Sequence, residues 1–117
     1  MVRPDRTEID PVMLEDIKSY APDKVAGFVN SALSDMSTHY DGLMQALKAD
    51  DVSFVETHIH SIKSVAAQFG AVKLAAICDD IENAAIAKDM AVCVSLIPSF
   101  EEVYQKAVAF FKEYIAA

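Results

Sequence analysis

The sequence predicts an all-α protein: an antiparallel, up-and-down four-helix bundle with a short extra N-terminal helix. Three observations carry this. Apolar residues recur at three- and four-residue steps along every long segment, and none alternates with the period of two that a half-buried strand requires. Only 3 glycines and 4 prolines punctuate 117 residues, so the elements must be few and long. Apolar residues make up 53% of the chain, enough for one core without staples. The length suits a single domain over 9–117 behind a flexible lead-in over 1–8.

Asp10-Pro11 reads as a helix start, a capping residue followed by a proline at the first helical position. The short helix it opens carries Met13, Leu14 and Ile17. Ala21-Pro22-Asp23 restarts the chain. A long amphipathic helix then presents Val25, Phe28, Val29, Ala32, Leu33, Met36, Tyr40, Leu43, Met44 and Leu47. Asp50 and Asp51 end it and cap the next, which runs from about Val52 to Phe69 with Val55, Ile59, Ile62, Ala66 and Phe69 inward. Gly70 stops that helix, because glycine tolerates the left-handed conformation at a C-terminus. The following helix turns Leu74, Ile77, Cys78, Ile81 and Ala85 inward, and Lys88-Asp89-Met90 makes a turn. The last segment carries Leu96, Ile97, Phe100, Val103, Tyr104, Ala107, Phe110, Phe111 and Tyr114; Pro98 should kink or split it. Short connections make sequential helices neighbours, hence antiparallel.

Composition excludes several roles. The net charge is −8, from 18 acidic and 10 basic residues, and a nucleic-acid backbone needs a basic footprint instead. A protein partner suits this charge. Cys78 and Cys93 form neither a disulfide framework nor a CxxC motif, which suits reduced thiols, Cys78 in the core and Cys93 partly exposed. No apolar run reaches the ~18 residues of a membrane span, and MVRPDRTEIDP lacks a signal-type stretch. The expected location is the cytoplasm. One small aromatic-rich core suits a monomer.

The chemistry concentrates in residues 56–70, ETHIHSIKSVAAQFG. On a helical wheel His60 points about 140° away from the apolar stripe, toward solvent. His58 points to the opposite flank, near Phe54. The two rings lie about 200° apart around the axis, so they cannot grip one metal ion together, and no metal site is expected. His39 reads as structural or solvent-facing. Lys63 and Ser64 stand one turn beyond His60 and Ala67 two turns beyond. The lysine is positioned to neutralise an anion on the ring, while the small residues leave room for a bulky partner. If the chain turns back about Ala71, His60 and Glu82 stand level, each eleven residues from it. Glu82 then either orients the ring or is a solvated charge. A carboxylate there would accept Nδ1–H and leave the Nε2 lone pair outward as a nucleophile. Ile59 and Val65 are candidates for a docking rim.

His60-Ser61-Ile62-Lys63-Ser64, with Gly70 ten residues after the histidine, resembles the motif of histidine-containing phosphotransfer (HPt) domains: His, any residue, an apolar residue, Lys, Gly, then small residues and a second Gly. ALKADD upstream and GAVKLAAICDDIENA downstream extend the similarity, which covers roughly residues 9–115. The resemblance implies His60 as phospho-accepting histidine and Lys63 as the charge that balances the phosphoryl group. It implies Glu82 as the contact that orients the ring and Gly70 as the end of the motif helix. Ser64, Ala67 and Ile59 would then belong to the receiver approach surface. Ser64 departs from the family's glycine; its hydroxyl is a candidate donor to the phosphoryl group.

The implied function is phosphoryl relay between aspartates of receiver domains, in response regulators or hybrid sensor kinases. The implied chain is a phosphocarrier without kinase activity, with no cofactor of its own, Mg²⁺ being carried by the receiver. The rival readings are a helical adaptor or dimerisation bundle that is never phosphorylated, and a module cut from a larger sensor kinase.

Overall fold

A computed structural model of the chain describes residues 9–116; the lead-in expected over 1–8 lies outside the described residues. The helices are α1 (Val12–Tyr20), α2 (Val25–Lys48), α3 (Val52–Gln68), α4 (Val72–Ile86) and α5 (Met90–Ala116), with a 3₁₀ turn at Pro22–Lys24. No strand occurs among the described residues. α3 packs most extensively on α4, then on α2; α5 packs on α4 and also on α2, which closes the ring. α1 joins through the 3₁₀ turn and α2. Leu14, Met36, Leu43, Val55, Ile59, Ile62, Leu74, Ile81, Phe100 and Phe111 are fully buried in one core. Each such side chain contributes about 1.5–3 kcal/mol by removal from water.

The three turns between α2 and α5 share one backbone solution. Asp51, Ala71 and Asp89 each donate N–H to the carbonyl five residues back, on Ala46, Ala66 and Ala84, at 2.8–2.9 Å. The residue before each is left-handed: Asp50 at φ 54°, Gly70 at φ 80° and Lys88 at φ 59°. This is the Schellman motif, which satisfies the last carbonyls of each helix. The aspartates then start the next helix, Asp51 Oδ1 accepting from Phe54 N–H and Asp89 Oδ1 from Val92 N–H, both at 3.2 Å. At α1 the expected cap is displaced: Pro11 stands at the N-cap position without a side-chain bond, and Asp10 Oδ1, one residue earlier, accepts from Val12 N–H at 3.0 Å.

Gly70 is needed for a further reason. Its carbonyl accepts from Asp10 N–H at 2.6 Å, pinning the N-terminal segment to the α3–α4 turn. A Cβ at Gly70 would lie 2.0 Å from the Asp10 carbonyl oxygen.

Two expectations are corrected and a third, the kink or split at Pro98, loses one of its alternatives. Phe28 is 47% exposed, because Val25, Val29, Ala32 and Met36 define the inward face of α2 and Phe28 falls to its side. Cys93 is buried, not partly exposed: it opens the stripe that continues through Ile97, Phe100, Tyr104, Ala107 and Phe111 at alternating steps of four and three. Pro98 does not split the last helix, which is continuous over Met90–Ala116. Pro98 and Val94, whose carbonyl loses its helical donor, both lie on the exposed side, where water serves instead.

Candidate functional site

The tight turn at Phe69-Gly70-Ala71 sets α3 and α4 side by side, so residues equidistant from it stand level. His60 on α3 meets Glu82 on α4, with Nδ1 and Oε2 2.6 Å apart. The histidine side chain keeps 59% of its exposure while that of Glu82 keeps 10%. Glu82 is the one buried charged residue among those described. Its second oxygen, Oε1, is bound by Lys63 Nζ. Lys63 also donates to Asp79 Oδ1 at 3.2 Å, and Asn83 Nδ2 reaches Asp79 Oδ2 at 3.4 Å.

The charges follow from this geometry. The Lys63 ammonium, opposed by burial and helped by His60, holds the Glu82 carboxyl below its usual range. Lys63 is raised in turn, first by Glu82 and then by Asp79. An ionised Glu82 only accepts, so the bond is donated by Nδ1–H of His60, and the neutral imidazole with that tautomer has its lone pair on Nε2. The cluster can therefore offer an exposed, oriented nucleophile with a cation one turn away. Cys78 lies close by, but burial pushes its thiol up to about 12, which leaves it inert.

Of the other expected residues, Ser64 and Ala67 are exposed on the His60 side of α3. The Ser64 hydroxyl donates to its own helix, at the His60 carbonyl 3.1 Å away, so its proton is already committed. Ile59 is fully buried and belongs to the core, not to an approach surface, since it sits at the centre of the inward stripe. Gly70 acts as the end of the helix. His58 packs beside Phe54 and meets His39, Nδ1 to Nδ1, at 3.1 Å. The ring centres are 5.4 Å apart, hardly more than that gap plus two ring radii, so both nitrogens lie on the line of centres. That is the geometry of an N–H···N bond joining α2 to α3. Among the described residues no three His, Cys, Asp or Glu side chains converge as metal ligands would.

Asp79 was missed by the sequence reading. The signal was present: Lys63 and Asp79 each stand eight residues from Ala71, the same arithmetic that pairs His60 with Glu82.

The Hpt domain family model matches residues 27–110. The chain belongs to the Hpt domain family. Membership assigns it to histidine phosphotransfer in two-component signalling, in which Hpt domains engage receiver domains. The helical bundle is similar to the crystal structure of histidine-containing phosphotransfer protein B (HptB) from Pseudomonas aeruginosa PAO1. The TM-score is 0.86 at 23% identity, covering 93% of this chain and 95% of that one. No curated protein matches the sequence. No helix among the described residues is long and apolar enough to cross a membrane.

Proposed function

We propose that this protein is a phosphocarrier which accepts a phosphoryl group on His60 from a receiver aspartate and passes it to a second receiver. The carrying domain spans 9–117, an antiparallel up-and-down four-helix bundle with a short N-terminal helix, working as a monomer in the cytoplasm. The observation that carries the reading is the 2.6 Å contact between His60 Nδ1 and buried Glu82, which leaves Nε2 outward.

The Nε2 lone pair attacks the phosphorus of an aspartyl phosphate. An N–P bond forms as the bond from phosphorus to the carboxylate oxygen breaks, and its electron pair stays on the aspartate. The ring becomes cationic while Nδ1 keeps its proton, and Glu82 balances that charge. Lys63 faces the phosphoryl oxygens. The loose transition state asks for positioning and charge balance more than for an elaborate site. Mg²⁺ belongs to the receiver, and no cofactor of this chain takes part. Return transfer to a second receiver reverses the same bonds. Nothing in the sequence resembles a nucleotide loop, so the chain is a carrier and not a kinase.

The test is transfer from a panel of phosphorylated receiver domains to wild type, His60→Gln and His58→Gln. Acid-labile label on wild type and His58→Gln, absent from His60→Gln, is the expected result. Label surviving His60→Gln names another acceptor. No label on folded wild type favours the adaptor reading.

A further inference from the structure

The lysine beside His60 is already engaged. An ammonium group has three N–H bonds. One goes to Glu82 Oε1 and one to Asp79 Oδ1, which leaves a single donor for anything arriving at the ring. The Glu82 contact has a clear purpose, because the same carboxylate orients the imidazole. The Asp79 contact has none of that kind: Asp79 does not touch His60, and its side chain is more than half exposed. It is held toward Lys63 by Asn83 from the next turn of α4. Around a neutral His60, Lys63 carries one positive charge against the two negative charges of Glu82 and Asp79. A phosphoryl group adds about two more negative charges at neutral pH. Asp79 therefore acts against the phosphorylated state twice, by occupying a donor of Lys63 and by repelling the new anion.

Building on the carrier reading above, we propose that Asp79 is a positioning residue that restrains Lys63, so that phospho-His60 is kept weakly stabilised and gives up its phosphoryl group readily. Lys63 sets how much the site holds on to the group, and Asp79 limits that hold. The bonds made and broken are those of the transfer already described; Asp79 changes the balance between the two sides. Its effect is that of a partly exposed ion pair, about two- to fivefold in an equilibrium constant.

The test does not need a receiver. Ammonium phosphoramidate charges an accessible histidine directly, the N–P bond to His60 forming as ammonia leaves. Wild type, Asp79→Asn, Asp79→Glu and His60→Gln are charged in this way, and the ³¹P signal is followed against pH. The phosphoryl group of Asp79→Asn should be the stronger acid, its ionisation constant raised about two- to fivefold over wild type. Asp79→Glu should restore the wild-type titration, which a role in folding alone would not require. In exchange with any competent receiver, Asp79→Asn should also shift the balance toward the charged carrier by a similar factor. Titration curves that coincide, or a weaker acid in Asp79→Asn, overturn the inference while leaving the carrier reading in place. Failure of wild type to take the group at His60 overturns both. Charging at His60 with no receiver able to exchange it removes the relay alone, and the ³¹P titration still decides the role of Asp79.

Discussion

At the scale of single residues, the site is one hydrogen bond and one ion pair sharing a carboxylate. Glu82→Ala should slow transfer to His60 about tenfold, the worth of a hydrogen bond to a charged group, with circular dichroism unchanged. Glu82→Gln, which can still accept from Nδ1–H, should lie between; an alanine variant as fast as wild type would remove Glu82 from the mechanism. The pair also sets a pH window. The Glu82 carboxyl is held low, so its stabilisation is complete above the usual carboxylate range and is lost as pH falls through the lowered value. Lys63 is held high, so its share is present through neutral pH and is lost as pH rises through the raised value. The difference in melting temperature between wild type and Glu82→Gln should therefore shrink below about pH 4; a difference independent of pH would contradict the ion pair. The meeting of His60 with Glu82 was legible because a wheel fixes direction and a hairpin fixes height. Asp79 shared the same height relation with Lys63, but a lysine among acidic residues also reads as a solvated pair, and a wheel does not locate the end of a long side chain.

At the scale of elements, one turn geometry is used three times with three different residues in the left-handed position. Gly70 was legible as a helix stop, since only glycine adopts that conformation without a Cβ penalty. Asp50 and Lys88 were not legible as left-handed, because backbone bonds to Leu47, Ala46, Ala85 and Ala84 hold them there against their own preference. Gly70→Ala should destabilise by about 2 kcal/mol or more, from positive φ and the encounter with the Asp10 carbonyl together. Lys88→Gly, which meets no such neighbour, should stabilise by about 0.5 kcal/mol. Urea unfolding of both separates the two terms; unchanged stability in both variants would mean the turns are not strained. That α5 persists through Pro98 was one of two open readings, the other being a split. A proline usually ends a helix, but here apolar residues on both sides of it, Cys93 and Phe100 among them, are buried on the same face.

At the scale of the whole molecule, the bundle closes through α2 and α5, where Tyr40 stacks on Tyr104 at 4.7 Å and on Phe100 at 6.3 Å. Phe100→Ala should cost about 3–5 kcal/mol, a large part of the 5–15 kcal/mol typical of a domain. Denaturant unfolding of this variant measures it, and a loss below 1 kcal/mol would place Phe100 outside the common core. Helix order and neighbours could be read from short connections and periodicity. The docking of the N-terminal segment on the α3–α4 turn could not, because it is a bond between the Asp10 and Gly70 backbones and leaves no side-chain pattern. That bond places the first described residues against the turn which keeps His60 level with Glu82.

The central claim is that Glu82 fixes the proton of His60 on Nδ1 and leaves Nε2 to take the phosphoryl group. A long-range ¹H–¹⁵N spectrum of the His60 ring, recorded before and after charging with phosphoramidate, tests it most directly. The predicted result is a proton on Nδ1 in both states, with phosphorus coupled to Nε2 of His60 after charging. Phosphorus on Nδ1, or on the ring of His58 or His39, would contradict it.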